Sequence, residues 1–496
     1  MKIKSRFSKE VIYNLLVIST ILLLSFVFSF QTGNNIWHKA NKSVDSSVFT
    51  YVARVILNGG MPYLDTFDHK GPLIYLINVL GIVISPWRGI WVLEWAAIIG
   101  TFVFIYKTAR IICDRKAAVL VLIIASAALY QYFQWGNFTE EYALPFITSS
   151  LFIFADYFLN DRISVARLLA CGVGFGVICL LRLNMIAVWF VMCLGVLVRC
   201  ITQKRMIDLW RFLLFFIIGA GIICVPTLIW LYKNGAIEAF IKDYFVFNSL
   251  YSKGVDNVVM LANREGLFTY FFNDSLLLVV FCYSAYCVIR EKKEFDIIHL
   301  FYFLVNLLMT SISGREYDHY GMVLVPALAY PLARFFENGY KQVKNGDRSF
   351  VYAVLFLLVF LSFPQWLNGI DLMFQRYAAK NEDHFGKAEM EIAEMIKENT
   401  AEDDQILVCG NWDLIYLLSD RFASTKYSYQ NNACTIDSDN MTEFCEELEN
   451  DPKIIVIRDN TDKIIENVVM EYINENEYVQ IMSKDWSFHV DMYLKQ

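Results

Sequence analysis

Four stretches of this 496-residue sequence hold the side chains best suited to chemistry. Residues 41–75 (NKSVDSSVFTYVARVILNGGMPYLDTFDHKGPLIY) carry Asp45, Asp65, Asp68 and the pair His69-Lys70. Residues 135–142 (WGNFTEEY) carry Glu140 and Glu141, Arg182 and Asn184 interrupt an apolar run, and residues 313–320 (SGREYDHY) carry Arg315, His319 and Tyr320. A carboxylate within reach of a hydroxyl can act as a general base. Lys, Arg and His can hold an anion and neutralise charge that develops on it. Each residue also has a plainer reading. Asp45 is a favoured helix N-cap, a job Ser43 or Ser46 could share. Thr139 can cap the helix that follows it, with Glu140 and Glu141 suiting the helix dipole. Lys70 can snorkel beside a turn, and 313–320 can be an ordinary polar loop. His69, His319, Asp45, Asp68 and Glu141 suit a divalent ion by type, but no close ligand spacing supports one. No cofactor is implied. A phosphate-cradling Gly-rich loop and a Ser-His-Asp order are both absent from the sequence.

The elements that must position these residues are mostly membrane spans. The chain is 56% hydrophobic and 19% charged, with mean hydropathy +0.41. That composition excludes a soluble enzyme and a disordered chain. The 40 Phe, 28 Tyr and 11 Trp suit spans and interfacial belts. Net charge is −7, no basic face or nucleic-acid module is present, and nucleic-acid binding is not expected. The 11 Cys fall mostly in apolar runs without metal spacing and read as small buried hydrophobes.

A basic N-terminus precedes a long apolar run without a small-residue cleavage site, which reads as an uncleaved first span near 11–30. Val48, Phe49, Val52, Val55 and Ile56 recur at helical spacing until Asn58-Gly59-Gly60 stops them, giving a short helix along the outer surface. Residues 73–84 are apolar but only 12 long, too short to cross. Keeping them on the outer side puts the basic loops at 109–116, 160–167, 199–205, 290–295 and 341–348 all in the cytoplasm. Further spans then fall near 89–108, 117–134, 142–159, 168–182, 184–198, 210–231, 272–289, 297–313, 320–336 and 349–368, about eleven with the first. The four chemical stretches all face outward. Beyond residue 381 the pattern changes to an amphipathic helix (385–399), short strands (DDQILVCG, PKIIVIRD, EYVQIMS) and helices near 411–419 and 441–449. The expected architecture is a polytopic α-helical membrane domain, 1–370, and a small extracytoplasmic α/β domain, 371–496.

The motifs Val44-Asp45-Ser46, NGGMPYLDTFDHKGPLIYL, GNFTEEYALPF and GREYDHY, in this order and spacing, resemble the GT-C superfamily of integral-membrane glycosyltransferases. The branch is that of the dolichyl-phosphate-mannose protein mannosyltransferases and their bacterial relatives, including the aminoarabinose lipid A transferase. The resemblance covers roughly residues 1–370. It implies that Asp45 is the catalytic base, and that Lys70, in His69-Lys70-Gly71-Pro72 with Gly71 as an insertion, contacts the donor phosphate. It also implies that Glu140 or Glu141 supplies the acid between the third and fourth spans. Ser46 stands where many relatives carry a second acid, which weakens a shared-metal reading.

The expected activity is sugar transfer, with inversion, from a polyprenyl-phosphate donor to a lipid or glycan hydroxyl at the outer face, in cell-envelope glycan or glycolipid synthesis. Lys70, His69, Arg182, Arg315 and His319 would meet the departing phosphate. Asp65, Asp68 and Tyr320 complete the candidates. The competing expectation is a transporter or flippase of a lipid-linked or anionic solute, which needs charges near the bilayer midplane and usually shows repeats. Here the charges gather at one face and no repeat is apparent.

Overall fold

The computed structural model describes residues 2–37, 43–253, 269–270, 274–311, 317–345, 348–380 and 386–496. The protein is a polytopic α-helical membrane protein with a small C-terminal sheet domain. Two compact units share the chain. One comprises Met1–Trp37, Trp91–Pro226 and Val255–Lys380, and the other His38–Ile90, Thr227–Gly254 and Asn381–Gln496.

Among the described residues, seven helices are long and apolar enough to cross a membrane. They are Glu10–Gln31, Gly89–Arg110, Arg115–Tyr132, Thr139–Asn160, Met206–Lys233, Glu294–Ser311 and Ser349–Ala378. Three further expected spans are shorter helices, Val165–Leu181, Ala187–Thr202 and Ser275–Glu291. The span expected near 320–336 is built differently. Asp318–Leu328 is an 11-residue 3-10 helix, and Ala329–Lys344 continues it as an α-helix. At about 2.0 Å per residue the 3-10 segment covers about 22 Å, where an α-helix would cover about 16 Å. Pro326 removes one backbone donor from it. At Gly321 a Cβ would lie 2.3 Å from the Tyr132 ring, so only glycine permits that approach. His319 and Tyr320 ride on the first turn of this segment.

In the second unit, the helix Val44–Leu57 begins on Ser43, whose hydroxyl accepts from the Ser46 N–H, and ends at Asn58 with Gly59 at φ +90°. Pro72–Ile84 is a 13-residue apolar helix with Gly71 as N-cap and Pro72 in its first turn. The C-terminal residues form a five-stranded sheet in the order β2-β1-β3-β5-β4, with β1 Gln405–Val408, β2 Phe422–Ala423, β3 Ile454–Arg458, β4 Tyr478–Asp485 and β5 His489–Lys495. β1 pairs parallel with β2 and β3, while β5 runs antiparallel to both its neighbours. The amphipathic helix runs Lys387–Asn399 and buries Ala388, Ile392, Ala393 and Ile396, one face at helical spacing.

The core of this sheet domain extends into the early loop. Tyr51 and Val55 of the helix Val44–Leu57 pack with Ile392, Ile406, Ile415 and Val456. Burial of side chains of that size stabilises by about 1.5–3 kcal/mol each. The Tyr51 hydroxyl also accepts from the Ala423 N–H at 2.9 Å. Arg54 donates to the Tyr416 carbonyl at 3.1 Å and pairs with Asp420. The helix carrying Asp45 is thereby fixed to the C-terminal domain by apolar packing, hydrogen bonds and an ion pair.

Candidate active site

Asp45 lies in the first turn of the helix Val44–Leu57, half-buried, and Ser43 rather than Asp45 caps that helix. Among the described residues, the Asp45 carboxylate makes no hydrogen bond or ion pair. It is close enough to act electrostatically on Tyr429, as are Asp68 and Asp413.

Asp68 has the opposite situation. Its buried carboxylate accepts from Tyr429 (2.9 Å), Tyr75 (2.9 Å) and the His69 N–H (2.7 Å), which occupies both oxygens. Burial pushes this carboxyl up from its ordinary range, against the pull of Lys70 and of those three hydrogen bonds. Asp68 therefore ties the loop to the C-terminal domain, reinforced by the Phe67 N–H donating to the Lys426 carbonyl at 2.8 Å. Asp65 is exposed and closes a local turn, accepting from the Met61 N–H at 2.6 Å.

Lys70 is held at both ends. Its carbonyl accepts from Tyr63 at 2.7 Å and lies 3.2 Å from the Tyr75 hydroxyl, whose one hydrogen it shares with Asp68, and its ammonium lies 3.1 Å from His69 Nε2. His69 Nδ1 lies 2.9 Å from Asn248 Oδ1, and Asn248 Nδ2 donates to the His69 and Tyr244 carbonyls at 2.7 Å each.

In the first unit, the sequence-predicted acids are buried and engaged. Glu140 accepts from Arg182 at 2.7 Å and from the Thr139 hydroxyl at 2.9 Å. The Arg182 guanidinium sits 3.9 Å over the Tyr320 ring, a cation–π contact within the range where it contributes measurably. His319 stacks on Phe138 at 4.1 Å, nearly parallel, and faces Gln134 at 3.4 Å. Gln134 in turn donates to Asp318 at 2.6 Å. Glu140, Arg182, His319 and Tyr320 are thus one cluster, although three separate stretches supply them. Arg315 lies outside the described residues.

Thr139 does not cap the helix Thr139–Asn160. Phe138 is the N-cap residue, and Glu141 reaches back from the third helical position to accept its N–H at 3.2 Å. Beside Glu141 stands Glu94, a buried acid that the sequence reading did not single out. It was legible as the one carboxylate in the apolar run GIWVLEWAAIIGTFVF, where an ionisable residue is a functional candidate by default. Glu94 Oε1 accepts from the Asn137 N–H. Trp135, Gly136 and Asn137 are all left-handed, at φ 66°, 83° and 62°. A Cβ on Gly136 would meet Glu94 Oε1 at 2.3 Å. Glu141 Oε2 has no hydrogen-bond partner among the described residues, and the Glu94 carboxyl is its neighbour. A proton on either acid would close a bond between the two. No group of three or more His, Cys, Asp or Glu among the described residues is placed to hold a metal ion.

Comparison with solved structures defines the fold. The chain is similar to ArnT from Cupriavidus metallidurans bound to undecaprenyl phosphate, with a TM-score of 0.59 and 14% identity over 96% of this chain and 97% of that one. It is also similar to ArnT from the same organism in the apo state, with a TM-score of 0.56 and 11% identity over 98% of each chain. The archaeal oligosaccharyltransferase AglB from Archaeoglobus fulgidus, in complex with an inhibitory peptide and a dolichol-phosphate, aligns with a TM-score of 0.52 and 13% identity over 97% of this chain and 74% of that one. The protein has the GT-C fold. No curated protein matches it in sequence. A family model described as "Putative competence-induced protein Ccs4 N-terminal domain" matches residues 5–348, and the chain belongs to that family.

Proposed function

We propose that this protein transfers a sugar from a polyprenyl-phosphate carrier to a lipid or glycan hydroxyl at the outer face of the membrane. The observation that carries the reading is the Asp45 carboxylate, which has no hydrogen bond or ion pair among the described residues, on a helix capped by a different residue, in a chain of GT-C fold. The bound undecaprenyl phosphate of the ArnT structure and the dolichol-phosphate of the AglB structure support the donor class. In the proposed reaction, Asp45 takes the proton of the acceptor hydroxyl as its oxygen attacks the anomeric carbon. The bond from that carbon to the phosphate oxygen breaks, the configuration inverts, and the polyprenyl phosphate departs with its negative charge facing the Lys70 ammonium.

The orientation belongs to the same reading. The basic loops face the cytoplasm, and Asp45, Lys70 and residues 371–496 lie outside. Arg182 and His319 keep their expected affinity for negative charge, which Glu140 already meets at Arg182. The test is incubation of the purified protein with a panel of polyprenyl-phosphate sugars, scoring transfer to added acceptor and hydrolysis to water. Turnover of at least one donor, lost in Asp45→Asn, is expected. Full activity of that variant, or no turnover with any donor, overturns the proposal.

A further inference from the structure

We infer that Asn248 and His69 form a positioning relay that fixes the direction of the Lys70 ammonium. The inference rests on the proposed role of Lys70 as the donor-phosphate anchor. It begins with Asn248, whose Nδ2 hydrogens are committed to two backbone carbonyls, those of His69 and Tyr244, at 2.7 Å each. An amide with both hydrogens so directed must present its oxygen on the remaining side. That oxygen lies 2.9 Å from His69 Nδ1, which therefore carries the ring proton. Nε2 is left with a lone pair, and the Lys70 ammonium lies 3.1 Å from it. The imidazole thus acts as a hydrogen-bond acceptor toward lysine and is not itself a cation for phosphate.

The surroundings hold this geometry. Phe247 and Tyr251 flank the imidazole with ring centroids at 5.5 Å and 5.3 Å. The backbone of Lys70 is pinned by the Tyr63 hydroxyl, which donates to its carbonyl at 2.7 Å. An ammonium has three hydrogens, and aiming one of them at His69 Nε2 sets the direction from which the charge meets a phosphate. Lys70 also directly precedes Gly71, the N-cap of the helix Pro72–Ile84, whose first-turn N–H groups add positive field. A lysine swinging freely would lose rotamer entropy on binding, and the relay removes part of that loss beforehand.

The experiment uses the full chain in detergent or nanodiscs with ¹⁵N-labelled histidine, His69 being assigned by the signals missing in His69→Gln. The wild-type ring is expected as the Nδ1–H tautomer, and Asn248→Ala is expected to abolish that preference. With a turned-over donor, Asn248→Ala and His69→Ala should raise donor KM about tenfold with a smaller change in kcat. His69→Gln, which can offer an oxygen to Lys70, should recover most of the loss. An Nε2–H tautomer in the wild type overturns the relay without any appeal to activity. Donor KM unchanged in Asn248→Ala and His69→Ala, but raised in Lys70→Ala, overturns the relay and leaves the proposed function standing. Donor KM unchanged in Lys70→Ala overturns both.

Discussion

Two acid-bearing regions, both picked out by the same sequence criteria, differ in one physical respect. On the helix Val44–Leu57, Asp45 has neither a hydrogen bond nor an ion pair among the described residues, because Ser43 does the capping. On the helix Thr139–Asn160, Glu140 is committed to Arg182, and Glu141 to the Phe138 N–H with Glu94 beside it. A general base needs a lone pair that no resident donor occupies. Asp45, half-buried and without such a donor, suits the proposed proton transfer; Glu140 is committed to Arg182, and Glu141, fully buried, keeps only Oε2 unmatched beside Glu94. Adjacent carboxylates at the end of a span are therefore not by themselves a catalytic signature; their partners decide.

The sharpest way to break this comparison is to remove each carboxylate in turn. Asp45→Asn should cost about 10²–10⁴-fold in transfer while leaving the detergent melting temperature unchanged. If Glu140→Gln matched that loss with equal stability, the distinction between the regions would fail. Arg182→Met addresses the engaged pair directly. It strands a buried carboxylate, and breaking such a pair costs about 3–5 kcal/mol, so a marked drop in melting temperature is expected. Adding Glu140→Gln to Arg182→Met should restore a large part of it. A double-mutant cycle with no coupling would mean that the 2.7 Å contact contributes nothing.

Much of this arrangement could be read from the sequence because it is periodic. The stop at Asn58-Gly59-Gly60, the short apolar run after Pro72, and strands β1, β3 and β4 of the C-terminal domain all follow from local spacing, whereas the two-residue β2 carries no such signal. β5 carries the same signal in Val490, Met492 and Leu494, every second residue, and lay just past the last strand expected. What periodicity could not supply is partnership at long range. Tyr429 reaches Asp68 across 361 positions, and Asn248 reaches His69 across 179. Nothing in YFVFNSLYSK marks Asn248 as the residue that orders a histidine. The 3-10 segment Asp318–Leu328 was equally hidden, since an apolar run bounded by polar loops has the same hydropathy in either helix type.

Asp413 separates burial from partnership, the two properties confounded in Glu140. It is fully buried, has no ion pair among the described residues, and is pushed up to about 7 from an ordinary 3.8, with burial as the main cause. Because the folded value is raised, the folded state holds a proton that the unfolded chain releases between about pH 4 and 7. Stability linked to this group is therefore complete below about pH 4 and is lost as pH rises through about 7. Asp413→Asn should stabilise the protein at pH 8 by on the order of a few kcal/mol, read as a higher melting temperature, and should do little at pH 4. A variant less stable than wild type at pH 8 would show that the carboxylate is paired after all.

The smallest effect expected is the most discriminating for the glutamate region. Glu94 accepts the Asn137 N–H where three successive residues are left-handed, and its carboxyl is the neighbour that Glu141 Oε2 needs. If that pair is held by a shared proton, Glu94→Gln should be nearly silent. The amide oxygen still accepts from Asn137, and the amide nitrogen supplies the donor that the proton provided. Glu94→Leu keeps the volume but leaves Asn137 N–H and Glu141 Oε2 unmatched, at a cost of about 1–3 kcal/mol for each buried group left unsatisfied. Melting temperatures of the two variants should therefore diverge although both remove the same charge. Equal losses would mean that charge, not hydrogen-bond matching, is what Glu94 contributes, and the loop would then have to be regarded as held electrostatically instead of by matched hydrogen bonds.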